Sequence, residues 1–234
     1  MIERIYRAPE LSARGIIPQK IRALYQAYGT GYDFCKFYKQ AGTTLAFLDG
    51  SCVINSDSNT DSEELSDFLA MNGFTDIFCS ATVGDAICKN LSADYNTVYA
   101  MRFCGEAVSD EITETKSPDE VYSIIKTGFD IDYEPWYLDM SHRIRHGVSR
   151  AFRLDRKAAL VVQHDINGEA LISQVAVVPE YRGRGYASKL LKAVCSTLSP
   201  SECFVICEPK LQNFYEKAGF ALVADYAVIT HKKD

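Results

Sequence analysis

The chain has 234 residues, 47% of them apolar, which is enough for one large α/β domain or two small ones with a substantial core. A formal charge of -6 argues against a broad polyanion-binding surface, so no nucleic-acid partner is expected. No apolar run approaches the about 18 residues that span a bilayer, and the first ten residues lack an apolar signal region; no membrane association is expected, and a cytoplasmic location is. Cysteines stand at 35, 52, 79, 88, 104, 195, 203 and 207 with no C-x2-C pair, which reads as reduced, mostly buried thiols rather than a zinc ribbon or a disulfide scaffold.

In chain order, a helical stretch is predicted over residues 18–40, with Pro18 suited to its first turn. Residues 43–54 read as a hairpin turning at Asp49-Gly50. Asp61 and Glu64 have capping-box spacing ahead of a helix whose stripe is Leu65, Phe68 and Leu69 and whose stop is Gly73. A strand at 74–79, a helix at 83–91 and a strand at 97–103 complete a first block, residues 1–104. Residues 105–117, rich in Asp, Glu, Ser and Thr, read as a linker to a second domain, 118–234. That domain opens with helices at 118–127 and 135–147, followed by strands at 150–164 and 170–178 that Asn167-Gly168 joins antiparallel. On the helix at 135–147, Asp139, His142 and His146 share one face and Trp136, Met140 and Ile144 another. The two histidines lack H-E-x-x-H spacing and nearby cysteine ligands, so no metal is expected.

The most informative segment follows the strand at 170–178. After Pro179 the chain reads Glu180-Tyr181-Arg182-Gly183-Arg184-Gly185-Tyr186-Ala187-Ser188, then a helix carrying Leu190, Leu191, Val194 and Leu198. A strand, a glycine-containing turn and a helix start make an anion site: N–H groups at the helix N-terminus converge outward, and the helix dipole adds partial positive charge. Gly183 and Gly185 permit close backbone approach, and Arg182 and Arg184 supply cations that can pair with phosphate. Neither a P-loop pattern nor a dinucleotide G-x-G-x-x-G is present.

The segment resembles the acetyl-CoA loop of the GNAT acetyltransferases, [QR]-x-x-G-x-[GA], at Arg182, Gly185 and Ala187. Downstream, Phe214-Tyr215-Glu216-Lys217-Ala218-Gly219-Phe220 is similar to that family's F-Y-x-K-x-G-F helix exit, so the resemblance spans about residues 106–234. It implies an α/β fold class with a mixed α+β sheet: a GNAT-like acetyltransferase fold with an additional N-terminal α/β block, itself a candidate degenerate half of the same fold. It also implies acetyl-CoA as co-substrate, bound by Val177, Val178, Arg182, Gly183, Arg184, Gly185, Tyr186, Ala187 and Ser188, and a small-molecule or peptide amine as acceptor. The family often carries Asn where this chain has Glu208, seven residues before Tyr215, which touches one hydrogen bond on the pantetheine side.

Acetyl transfer needs a held thioester, a polarised carbonyl, a neutral amine and a protonated leaving thiolate. By the resemblance, the splayed end of the strand at 170–178 offers backbone N–H groups near Val177 to the thioester oxygen. Tyr215 occupies the family's general-acid position; the alternative is a core aromatic. For the general base Glu169 is the candidate, against the reading of a solvated hairpin residue, while Ser173 and Gln174 could order a relay water instead. Residues 1–104 carry no chemical motif and read as a structural layer. An acetyl-CoA-binding module without turnover is the alternative function.

Overall fold

The computed structural model describes residues 1–231 apart from 12, 13, 58, 59, 92, 107, 109 and 110. Two compact units divide the chain, Met1–Tyr99 with Ala224–Asp234 and Ala100–Val223.

The first unit contains β1 (Glu3–Ile5), α1 (Ile16–Tyr28), β2 (Cys35–Gln40), β3 (Thr43–Leu48), β4 (Ser51–Ser56), α2 (Ser62–Asn72), β5 (Asp76–Ser80), α3 (Ala81–Cys88) and most of β6 (Ala93–Phe103). The last residues of the chain's final strand, β12 (Phe220–His231), also belong to it. Its strands run in the order β1-β2-β3-β4-β5-β12. The first four pair antiparallel with their neighbours, β5 is parallel to β4 because α2 crosses between them, and β12 closes antiparallel on β5. Leu45, Ile54, Leu65, Leu69, Ile77 and Ile87 are fully buried in the core between sheet and helices.

The predicted helix over 18–40 is two elements. Gly29, at φ 59°, ends α1 by donating its N–H to Tyr25 O, and Cys35 and Phe37 then alternate inward as β2. Period two over 35–40 buries two apolar side chains on the sheet, and the Gly29-Thr30-Gly31 break removes any helical continuation. The hairpin at 43–54 forms as β3 and β4, with Asp49 and Gly50 both left-handed as a type I′ turn requires. At α2, Asp61 accepts from the N–H groups of Glu63 and Glu64, yet Glu64 does not complete the capping box. Its carboxylate takes the Met1 ammonium at 2.9 Å and Gln40 Nε2 at 2.9 Å, while Asp61 N–H donates to Gln40 Oε1 at 3.1 Å.

In the second unit stand β7 (Thr113–Thr115), α4 (Asp119–Ile125), α5 (Tyr133–Arg145), β8 (Arg150–Leu154), β9 (Ala158–Ile166), β10 (Glu169–Val177), α6 (Tyr186–Leu198), β11 (Glu202–Cys207) and α7 (Gln212–Lys217). The end of β6 borders β11, and the order continues β10-β9-β8-β7. The stretch read as a linker thus contributes a strand, β7, antiparallel to β8. The strand expected over 150–164 is two: Asp155 turns left-handed at φ 50° and Lys157 N–H bonds back to Leu154 O, so β8 and β9 form a hairpin without any glycine signal. Asn167 and Gly168 join β9 to β10 as expected. Helix α6 buries Leu190, Leu191, Val194 and Leu198, and β11 returns parallel to β10.

Both halves of the chain run through one succession: a short strand, one or two helices, an antiparallel meander of three strands, a crossover helix, a strand parallel to the last of the meander, a short helix and a long strand. The first half of the chain therefore repeats the element order of the second. No described helix is long and apolar enough to cross a membrane. Asp61→Ala removes the N-cap of α2 and is expected to lower stability by about 1 kcal/mol, read as a lower urea midpoint in that unit; an unchanged midpoint would show that Gln40 alone holds the helix start.

Candidate functional site

Two interruptions of regular pairing meet in β10. Its ladder with β11 runs from Glu169↔Glu202 to Ile172↔Val205, while β10 itself continues beside β9 to Val177↔Ala158. From Ser173 onward, then, the edge facing β11 has no ladder pair. On the β9 side the register jumps between Ser173↔Val161 and Ala176↔Ala159, which places one extra residue in β10. Gln174 in that bulge is left-handed, at φ 49°. Such a residue turns the peptide planes on either side of it, so successive N–H groups can converge on one acceptor. The side-chain carbonyl of Gln174 accepts from the indole N–H of Trp136 on α5 at 2.9 Å.

Beyond Val177 a single 3-10 turn, Pro179–Tyr181, leads into the loop, and Gly185 at φ 80° is the N-cap of α6. No side chain among the described residues caps this helix; the first backbone bond into it is Lys189 N–H to Gly185 O at 3.0 Å. The N–H groups of Tyr186, Ala187 and Ser188 are thus the donors that a helix start leaves over. Gly183, at φ 73°, and Gly185 have open space where a Cβ would project, with nothing within 4 Å. A bare, left-handed glycine turn over an uncapped helix start fits a pyrophosphate.

The two arginines differ in employment. Arg182 donates Nε–H to Val177 O at 3.0 Å and a terminal N–H to Thr127 O at 2.7 Å, so its guanidinium ties the end of β10 to the segment after α4. Arg184 lies 5.9 Å from the Tyr181 ring, and Tyr181 meets Tyr186 edge-on at 5.8 Å. Lys157, from the β8–β9 turn, places its ammonium 5.4 Å from the Tyr186 ring and 5.9 Å from that of Tyr181, and its carbonyl accepts from Val178 N–H at 2.9 Å. This third cation has no motif in the sequence; only the turn that the reading of one strand over 150–164 passed over brings it to the loop. Its ion pair with Asp155, at 2.9 Å, holds its pKa above the ordinary lysine value.

Tyr215 on α7 is 8% exposed, its ring edge-on to Phe214 at 5.0 Å and to Phe220 at 5.7 Å. Burial, and behind it the neighbouring Cys207 thiol, pushes its pKa up to about 12. The phenol is accordingly packed like a core residue and remains protonated well above neutral pH. Glu169 is only 4% exposed, so it is not a solvated hairpin residue. It opens β10 opposite Ile166 and Glu202, eight positions from Val177, a separation of roughly 26 Å at the rise of a strand. The fold brings Val177, Val178 and the loop 182–188 together and leaves Glu169 at the other end of the sheet, beside ion pairs of Arg150 with Glu114 and Asp165. Glu208, just after β11, pairs with Lys210.

On α5, His142 and His146 stack at 4.1 Å between ring centres, and the buried Arg143 pairs with Asp139 at 2.7 Å. That helix therefore presents Trp136 and Met140 to the core, and its two histidines stack on one another. Arg182→Ala frees the end of β10 from Thr127; calorimetry with coenzyme A is expected to show affinity lower by about tenfold, with Arg182→Lys intermediate because an ammonium cannot fork to two carbonyls. Equal affinity in all three proteins would show that the clamp is dispensable.

Residues 147–222 match the family profile described as acetyltransferase (GNAT) domain. No curated protein matches the chain by sequence. Among solved structures, a GCN5-related N-acetyltransferase from Kribbella flavida superposes with a TM-score of 0.66 at 9% identity, over 93% of this chain and 95% of that one. A GCN5-related N-acetyltransferase from Sphaerobacter thermophilus gives 0.60 at 14% identity, over 91% and 84%. A tandem GNAT protein from the clavulanic acid biosynthesis pathway gives 0.52 at 12% identity, over 95% and 91%, and the repeated element order found here is in keeping with that likeness. Residues 147–222 are thus similar in sequence to the GNAT acetyltransferase domain, and the chain has the fold of the GNAT acetyltransferases on which it superposes.

Proposed function

We propose that the second unit binds acetyl-CoA and transfers the acetyl group to an amine of a small-molecule or peptide acceptor, by direct attack in a ternary complex. The observation that carries this reading is the uncapped start of α6 at the open left-handed turn of Gly183 and Gly185, together with the parting of β10 from β11.

Acetyl-CoA supplies the acetyl group as a thioester and carries away the electron pair of the broken C–S bond on sulfur. The N–H groups of Tyr186, Ala187 and Ser188 bind the pyrophosphate, with Arg184 and Lys157 adding positive charge at the mouth of the loop. N–H groups from the bulge to Val177 bind the carbonyl oxygen as negative charge gathers there during attack. The nitrogen lone pair forms the new C–N bond, and the amine proton passes to water held by Ser173 and Gln174; Glu169 lies too far along β10 to receive it. Tyr215 donates its phenolic proton to the leaving sulfur, and the raised pKa keeps that proton in place at working pH.

Thiol release from acetyl-CoA, followed across a panel of amines, tests the reaction. Turnover with at least one amine is expected, and Tyr215→Phe should lower it on the order of a hundredfold while acetyl-CoA still binds. Binding without turnover on every amine would instead identify an acetyl-CoA-binding module. Because a general acid works while protonated, a pKa near 12 predicts no loss of rate from Tyr215 as pH rises through 8 and 9. The same shift works against the fold in alkali: the unfolded phenol ionises from about pH 10 while the folded one keeps its proton, so stability falls as pH rises toward 12, and Tyr215→Phe should flatten that fall in melting temperature. Gly185→Glu forces a side chain and a negative charge into a left-handed position over the cradle, and coenzyme A binding should disappear in calorimetry; undiminished affinity would move the phosphates elsewhere.

A further inference from the structure

We propose that Trp136 is a positioning residue for acetyl transfer: through its bond to Gln174 it holds the left-handed bulge of β10 in the geometry that turns the strand's N–H groups toward the thioester oxygen. This rests on the acetyl-transfer reading of the same site.

A long side chain in the left-handed region is disfavoured and persists only where its surroundings over-determine it. For Gln174 the backbone supplies little of that support. Pairing with β11 has ended two residues earlier, and the ladder with β9 skips the bulge. The side chain is held by Trp136, at 2.9 Å. An indole N–H can only donate, so the carboxamide must present its oxygen to Trp136 and direct its NH2 the other way. One bond therefore fixes both the torsions of Gln174 and the direction of its remaining donors.

Trp136 is itself immobilised. It is 9% exposed, packs with Val121, Ile125, Met140 and Ala176, and lies 5.3 Å from the Tyr122 ring, whose hydroxyl donates to Ile131 O at 3.1 Å. A Cβ added at Gly128, between α4 and α5, would stand 3.5 Å from the Ala176 methyl, in ordinary contact, so the connection between the two helices runs close beside the bulge. Support thus passes from the packed faces of α4 and α5 through one indole to the peptide planes beside residue 174. A tryptophan that merely filled the core would need no partner at this residue and would be replaceable by phenylalanine with a cost in stability alone.

Three probes separate these roles: acetyl-CoA, S-ethyl-CoA, which lacks the carbonyl, and coenzyme A. The wild-type protein is expected to prefer acetyl-CoA over S-ethyl-CoA, and Trp136→Phe to reduce that preference by about tenfold, the weight of one hydrogen bond, with S-ethyl-CoA affinity unchanged. Difference infrared spectra of bound acetyl-CoA labelled with 13C at the carbonyl should show the stretch moving toward its value in water. Gln174→Met, which removes the acceptor and leaves the tryptophan in place, should do the same and decides the matter if Trp136→Phe does not fold. Adding Gln174→Gly to Trp136→Phe should restore both readouts, since glycine holds a positive φ unaided. Unchanged preference and unchanged stretch in both single variants, or no recovery in the double variant, overturns the assignment. A wild-type protein that binds none of the three probes overturns the acetyl-transfer reading itself, and this proposal with it.

Discussion

Pairing between β10 and β11 stops at Ile172 and Val205, and that interruption organises the second unit. Strands that stay paired satisfy their own N–H and C=O groups; strands that part leave donors and acceptors which water or a ligand must meet. The chain makes the parting definite by adding one residue to β10 and turning Gln174 left-handed, a conformation L-residues avoid. Arg182 then grips Val177 O from the loop side, and Trp136 grips Gln174 from the helix side, so the free end of the strand is anchored at both its bulge and its tip.

The two copies of the fold show how little of this chemistry belongs to the fold itself. Each has a helix crossing from the last strand of a meander to a parallel neighbour. In the first unit the start of α2 is closed by the carboxylate of Asp61, which satisfies two of the N–H groups and places a negative charge where an anion would sit. In the second, α6 starts at a bare glycine with no side-chain cap. The same dipole and the same leftover donors are thus turned inward in one copy and outward in the other, by the identity of a single residue at the helix start.

Charge follows the same division. Against a net -6 for the chain, Arg184 and Lys157 gather at the loop, flanking the Tyr181 and Tyr186 rings. Arg182 also stands here and bonds two backbone carbonyls, which holds the end of β10 rigid. A loop whose N–H groups are already fixed in direction needs less charge to bind phosphate, because the donors do not have to be ordered at the moment of binding.

The sequence by itself determined what consecutive residues can encode. The hairpin at Asp49-Gly50, the turn at Asn167-Gly168, the cap at Asp61 and the strand, glycine loop and helix around Arg182 to Ser188 all depend on φ preferences, periodicity and leftover N–H groups within a few positions. Where two periodicities compete, as over 18–40, or a turn lacks glycine, as at Asp155, the local signal misleads, because burial against a sheet outweighs propensity. Only the tertiary structure decided that Lys157 stands at the loop, that Arg182 bonds Val177 and Thr127, and that Trp136 reaches Gln174 across 38 positions of sequence. Each of those contacts is made by a side chain that packing brings to its partner, and nothing in the spacing of residues along one element specifies which group of another will lie within reach of it.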